Sequence, residues 1–168
     1  MAAEAEAGET VTEVTVGEVP EPSEGGEEVA FELRSSHGKV FLLELKSTFG
    51  VAVSMSERQG EKAATSQSSF ALCVIPLQTE QIDQDILRTN ARFVPEVGRL
   101  LENAVVKFND LRNLEIQTAS VSDDVDVLIQ GSQVKYSIKQ PIWSGGLEFN
   151  SFIAYLLTFF AYDRPSNS

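Results

Sequence analysis

The chain has 168 residues, with 25 acidic and 13 basic side chains and a formal net charge of −12. Its single cysteine excludes an intramolecular disulfide, and one cysteine with one histidine excludes a zinc site of the usual Cys/His kind. No stretch approaches the roughly 18–20 consecutive apolar residues of a membrane-spanning helix, and the first residues lack the pattern of a secretory signal. These features predict a cytoplasmic protein with no membrane span.

The negative charge is concentrated at the N-terminus. The first 28 residues hold nine of the acidic side chains and no basic one, which leaves 16 acidic and 13 basic residues, a net charge of −3, on the other 140. A segment so charged and so poor in apolar bulk predicts a disordered tail over 1–28. Val11, Val14 and Val16 leave a second reading open, a short strand that pairs with the sheet edge of a partner or sister subunit.

The pattern changes to strands at Val29. Alternating apolar residues predict a β-hairpin over 29–46, in which Phe41, Leu43 and Leu45 share one face. A third strand is predicted at Phe49–Met55, followed by a polar loop at Ser56–Ser68. Residues Phe70–Ile75 are apolar on both faces, which is typical of a central strand covered on each side.

Helical spacing follows, with Thr79 as a candidate N-cap and a strong apolar stripe over 95–110. A short strand at Leu114–Thr118 and a second hairpin over 125–138 precede the last helix, Leu147–Tyr162. Because strands and helices are grouped, the sequence predicts an α+β fold. We expect an antiparallel sheet of about five to seven strands on two or three helices, in one domain over 29–163, with a disordered end at 164–168.

The last helix carries more apolar surface than one core-facing stripe needs. The core stripe is predicted to contain Phe149, Phe152, Ile153, Leu156, Leu157 and Phe160. Aromatic rings also lie outside that stripe, and leaving them in water is unfavourable by several kcal/mol at about 25 cal/mol per Å². The sequence therefore predicts a protein interface formed by Trp143, Phe152, Tyr155, Phe159 and Tyr162.

One motif invites a catalytic interpretation. Glu44-Leu45-Lys46 matches the Glu-x-Lys half of a nuclease motif, in which carboxylates bind a divalent metal and the lysine orients water. Such a site needs a second carboxylate, and the first aspartate of the chain is Asp83, so that only Glu32 could substitute. The negative net charge also disfavours phosphate binding, and we therefore expect a strand with a charged end and no nucleic-acid partner.

The other candidate sites are weaker. Cys73 and His37 are the only thiol and imidazole, but Cys73 lies in an apolar strand and His37 in a turn. Asp123, Asp124 and Asp126 lack the remaining ligands of a calcium loop. The sequence accordingly predicts no catalytic residue, no metal site and no cofactor.

The order of elements over about 29–162 resembles that of type III secretion chaperones. Val134–Ile138, Pro141, Leu147 and the helix Phe149–Tyr162 look like the closing strand and helix of that family. The resemblance implies a small acidic dimer that binds an unfolded client protein. More broadly, the sequence predicts a non-enzymatic protein-binding module, a subunit or adaptor of a homo-oligomer or hetero-complex. A small enzyme with an unrecognised site is the remaining alternative.

Overall fold

The computed structural model describes residues 14–18, 30–77, 83–111, 118–120, 124–130 and 133–161. The strands in these ranges are β1 (Val14–Glu18), β2 (Ala30–Ser35), β3 (Val40–Thr48), β4 (Ala52–Ser56), β5 (Phe70–Pro76), β6 (Arg92–Val94), β7 (Thr118–Ser120), β8 (Val125–Gln130) and β9 (Gln133–Lys139). The helices are α1 (Glu57–Ser66), α2 (Gln84–Asn90), α3 (Val97–Leu111), α4 (Gln140–Ser144) and α5 (Phe149–Ala161). The predicted α+β class is confirmed.

The described strands form two sheets, whereas the sequence predicts one antiparallel sheet. The first has the order β1-β2-β3-β5-β6 and the second the order β4-β9-β8-β7. The chain leaves the first sheet at the bend Phe49–Val51, where the amide of Gly50 donates to Thr48 Oγ1 at 2.9 Å. Because β4 and α1 then connect β3 to β5, those two strands run parallel. The predicted strand Phe49–Met55 begins only after this bend.

The N-terminal segment contributes a strand to its own chain. β1 pairs antiparallel with β2, with Val14 opposite Ser35 and Glu18 opposite Phe31. The prediction of disorder across the whole tail is therefore wrong for residues 14–18, because the edge of β2 offers backbone groups for pairing. The predictions for 1–13, 19–29, Thr79, 114–117, Tyr162 and 164–168 concern residues outside those that the structure describes.

The predicted polar loop at Ser56–Ser68 is a helix. Ser56 begins α1 with a capping box: its Oγ accepts from the Gln59 amide at 3.2 Å, and Gln59 Oε1 accepts from the Ser56 amide at 2.9 Å. The inward face of α1 carries small residues, and Gly60 and Ala63 are both buried there. Large apolar side chains are not needed there, because α1 packs closely against α3.

Two apolar cores lie on opposite faces of the first sheet. The first core joins that sheet to α1, α3 and the second sheet, and it contains Leu42, Leu101 and Tyr136. The second core joins the other face of the sheet to α5 and contains Phe41 and Phe152. As the hairpin prediction requires, alternate residues of β3 face different cores. Among the described helices, none has the length and apolar character needed to cross a membrane.

Candidate functional site

An apolar groove of about 570 Å³ lies between the first sheet, α2 and α5. Its floor comes from β2, β3, β5 and β6, and its walls come from the two helices. The lining residues are Leu33, Leu43, Leu45, Cys73, Ile75, Leu87, Arg88, Ala91, Phe93, Phe149, Phe152, Ile153, Leu156, Leu157 and Phe160. Almost all of the lining surface is hydrocarbon. The second core is therefore only partly covered by α5, and the groove is the uncovered part.

The start of α5 is fixed on the sheet by backbone and ring contacts. Phe93 and Leu147 form an isolated antiparallel bridge, with N···O distances of 2.9 and 2.7 Å. One turn into the helix, the ring of Phe152 stacks on Phe93 with 4.2 Å between centroids. Near the end of the helix, Phe159 meets Phe41 edge to face at 5.0 Å. These contacts place α5 across the sheet from β6 to the beginning of β3.

The structure places the predicted interface residues mainly inside the protein. Trp143 is 4% exposed in the first core, and Phe152 is 2% exposed in the second, so neither is available to a partner. Tyr155 and Phe159 are half-buried against Phe41. The reason is that the helix packs its aromatic rings onto the phenylalanines of the sheet, which sequence spacing alone does not reveal.

The exposed apolar residues of α5 are ones that the sequence assigns to the core stripe. Ile153 is 39% exposed and Leu157 is 59% exposed, and both border the groove. The buried stripe consists of Phe152, Leu156 and Phe160, at a strict spacing of four residues. The predicted core stripe is therefore wrong for Ile153 and Leu157. The reason is that α5 packs on only one sheet face and leaves the groove beside it open.

Of the described residues that line the groove, Arg88 is the only charged one. It lies in the last turn of α2 and is exposed, with its guanidinium carbon 5.4 Å from the centroid of the Phe149 ring. No ion pair joins it to any residue that the structure describes. Arg88 therefore brings a positive charge to a mouth that is otherwise apolar.

The thiol of Cys73, in the wall of the groove, is unreactive at neutral pH. Cys73 lies in the middle of β5, opposite Leu45 of β3, and burial raises its pKa to about 12. At neutral pH it is a neutral thiol, which is the unreactive form. His37 lies on the exposed turn between β2 and β3, where its Nδ1 is 3.3 Å from Ser36 Oγ. The structure does not bring the two residues together as a nucleophile and base.

The Glu-x-Lys motif forms a buried polar cluster on the other face of the sheet. Glu44 is 2% exposed, and its Oε1 is 3.0 Å from Lys46 Nζ. The same oxygen accepts a hydrogen bond from Gln59 Nε2 of α1 at 2.7 Å. The Glu-x-Lys motif does not predict Gln59 as a member of the cluster, although the Ser56-x-x-Gln59 spacing is a capping signal that places Gln59 in the first turn of a helix.

A second carboxylate does not reach this cluster from β2. The residue opposite Glu44 on that strand is Ala30, and Glu32 is opposite Leu42. Glu32 instead pairs with Arg34 on its own strand. Among the described residues no group of three or more His, Cys, Asp and Glu side chains could hold a metal ion. The cluster is a structural ion pair within β3, and the hydrogen bond from Gln59 links it to α1.

No family model, curated protein or solved structure matches this chain.

The geometry of the chain itself therefore carries the functional argument. Among the described residues, the groove combines hydrocarbon walls, two exposed aliphatic side chains and the guanidinium of Arg88, which has no ion-pair partner there. A surface of that kind binds apolar groups through their removal from water.

Proposed function

We propose that this chain is a non-enzymatic protein-binding module, a subunit or adaptor of a larger assembly in the cytoplasm. The contact surface in this proposal is the edge of α5 that borders the groove. The observation that carries it is the exposure of Ile153 and Leu157, which are one helical turn apart and form a continuous aliphatic strip. Such a strip beside an apolar groove marks an interaction site more often than isolated apolar residues do.

The chemistry of the remaining sites supports a non-enzymatic role. Glu44 is engaged by Lys46 and Gln59, and Ala30 occupies the neighbouring position on β2. The thiol of Cys73 has a raised pKa and is surrounded by carbon. The negative charge of the chain disfavours nucleic acid as the partner.

A secretion-type chaperone for an unfolded client is the second form of the proposal. The open apolar groove favours it, because client side chains could enter between α2 and α5. The same lining offers almost no hydrogen-bond partner to a client backbone. A chaperone of this kind could therefore bind only the side chains of its client and not the client backbone. For that reason we rank the subunit or adaptor first.

Light scattering at a series of protein concentrations tests the form of this proposal in which the assembly is a homo-oligomer of this chain. We expect the wild-type mass to rise with concentration, and Leu157→Glu to lower the association constant by tenfold or more, because a buried carboxylate would lose its water. The matched control is Ser151→Glu, which adds the same charge at an exposed position of α5 outside the groove.

Two results would count against the proposal. A mass that equals one chain at every concentration contradicts self-association. Equal association constants for Leu157→Glu and Ser151→Glu contradict the assignment of the α5 edge as the contact surface.

A further inference from the structure

The interior of the groove has the size of a ligand site. Its volume of about 570 Å³ lies within the range of roughly 300–1,000 Å³ found for small-molecule pockets. The floor is built from side chains such as Leu43, Leu45 and Ile75, which the strands hold in fixed register. Because β3 and β5 are paired neighbours inside the sheet, backbone hydrogen bonds hold this part of the floor in place.

The lining selects against ligands that carry hydrogen-bonding groups along their length. An extended peptide would bring an amide and a carbonyl at each residue into a surface that is almost wholly hydrocarbon. Burial of each such group without a hydrogen-bond partner is unfavourable. A saturated alkyl chain has no group of that kind, so it can fill the groove without this penalty.

The charge at the mouth identifies the head group. Arg88 is exposed, lines the groove and has no acidic partner among the described residues. The Phe149 ring, 5.4 Å away, holds the guanidinium between α2 and α5. A guanidinium binds a carboxylate or a phosphate through two parallel hydrogen bonds. Because Arg88 supplies a single positive charge, we take the singly charged carboxylate as the matching ligand end.

We propose that the groove binds a long-chain fatty acid, with the alkyl chain between the sheet and α5 and the carboxylate at Arg88. This inference goes beyond the proposed protein contact, because it concerns the interior of the groove and a ligand of different chemistry. The two roles have separate determinants: the positive charge of Arg88 for the fatty acid, and the outward edge at Leu157 for the protein.

Calorimetric titration of the delipidated full chain with palmitate is the test. We expect one palmitate per chain, and we expect Arg88→Gln to weaken it by about tenfold through loss of the charge-assisted bonds. The matched control is Arg99→Gln, an exposed arginine of α3 that pairs with Glu96 outside the groove and should leave the affinity unchanged. Circular dichroism checks that both variants are folded.

Two further ligands distinguish the contribution of the alkyl chain to the affinity from that of the head group. Myristate is shorter by two methylene groups and should bind about tenfold more weakly than palmitate, at about 0.8 kcal/mol for each buried methylene. Hexadecanol has the palmitate chain without its charge, and its affinity, measured by displacement of bound palmitate, should be the same for wild type and Arg88→Gln.

Methyl NMR locates the ligand. Palmitate should shift the methyl signals of Leu43 and Leu45 in the groove, while those of Leu101 and Val127 in the first core stay in place. Absence of one-to-one palmitate binding, an unchanged affinity in Arg88→Gln, or shifts confined to the first core would each overturn the fatty-acid proposal. Because Leu157→Glu reports on mass and Arg88→Gln on palmitate, either proposal can fail while the other survives.

Discussion

The side chain of Lys39 contacts Phe159 in two ways at once. Its Nζ donates to the Phe159 carbonyl oxygen at 2.7 Å and lies 4.2 Å from the centroid of the same ring. Lys39 follows the turn between β2 and β3, and Phe159 is in the last turn of α5. A cation near the C-terminal end of a helix also interacts favourably with the helix dipole. This pair therefore attaches the far end of α5 to the sheet and holds one wall of the groove.

We predict that Lys39→Met lowers the free energy of unfolding by about 1–2 kcal/mol, because the charged hydrogen bond and the cation–π contact are both lost. Urea unfolding followed by circular dichroism measures the change. Lys62→Met, at an exposed position of α1, is the control and should stay within about 0.5 kcal/mol of wild type. Equal effects of the two substitutions would show that the attachment contributes nothing to stability.

Gly98 is predicted to be intolerant of a side chain. A Cβ at this position of α3 would collide with the carbonyl oxygen of Ala63 and lie 2.9 Å from the Cα of Gln67. Because the colliding atoms belong to the backbone of α1 and of Gln67, the residue that follows it, the two segments must separate, and Gly98→Ala should destabilise by about 2–3 kcal/mol. Gly50→Ala is the control, since its Cβ would meet Thr48 Oγ1 at an ordinary 3.6 Å. Thermal unfolding of the two variants should differ by several degrees, and matching melting temperatures would contradict the close approach of α1 and α3.

The elements that the sequence predicts well are those with a strong apolar period. The stripe over 95–110 corresponds to α3, and the two-sided apolar run at Phe70–Ile75 corresponds to β5. The hairpins over 29–46 and 125–138 are present as β2–β3 and β8–β9. In each case burial against neighbouring elements reinforces the local preference of the sequence.

The sequence fails where burial does not involve large apolar side chains. α1 buries Gln59, Gly60 and Ala63, and the ring of Tyr136 packs so closely that a Cβ at Gly60 would collide with it. Because that segment contains no large apolar residue, its apolar pattern is typical of a loop. The local signal for a helix in this segment is the capping box formed by Ser56 and Gln59.

The groove could not be predicted from any single segment. Its walls come from α2 and α5, which are about 60 residues apart in sequence, and its floor comes from four strands. The sequence does indicate that α5 has excess apolar surface. Which side chains remain exposed depends on the angle at which Phe152 and Phe159 dock onto the sheet, and this angle is a property of the packed core.

The stability of the protein should depend strongly on Lys46, the cation that pairs with the buried carboxylate of Glu44. Lys46→Met removes the ammonium and leaves the carboxylate without it in a site that is 2% exposed, so we expect a loss of about 2–3 kcal/mol. The double variant Glu44→Gln with Lys46→Met should be less destabilised than the sum of the single variants. Arg34→Gln removes the equivalent partner of Glu32 at the surface and should change stability by about 0.5 kcal/mol or less. Additive urea-unfolding energies would contradict the coupling.

Because the thiol of Cys73 is buried, we expect the protein to lose stability at alkaline pH. Burial raises the pKa of the thiol from 9.0 to about 12, and the folded state therefore retains its proton at a pH where the unfolded chain has lost it. The unfolded state binds fewer protons between these values, and stability falls as the pH rises through that window. Between pH 8 and pH 10 the unfolding free energy of wild type should drop by about 1 kcal/mol more than that of Cys73→Ala, which has no thiol to ionise. Urea unfolding of both proteins at pH 7, 8, 9 and 10 measures the difference. Because the two chains share every other titrating group, parallel curves would mean that the thiol ionises freely in the folded protein and that the groove wall around β5 is open to water.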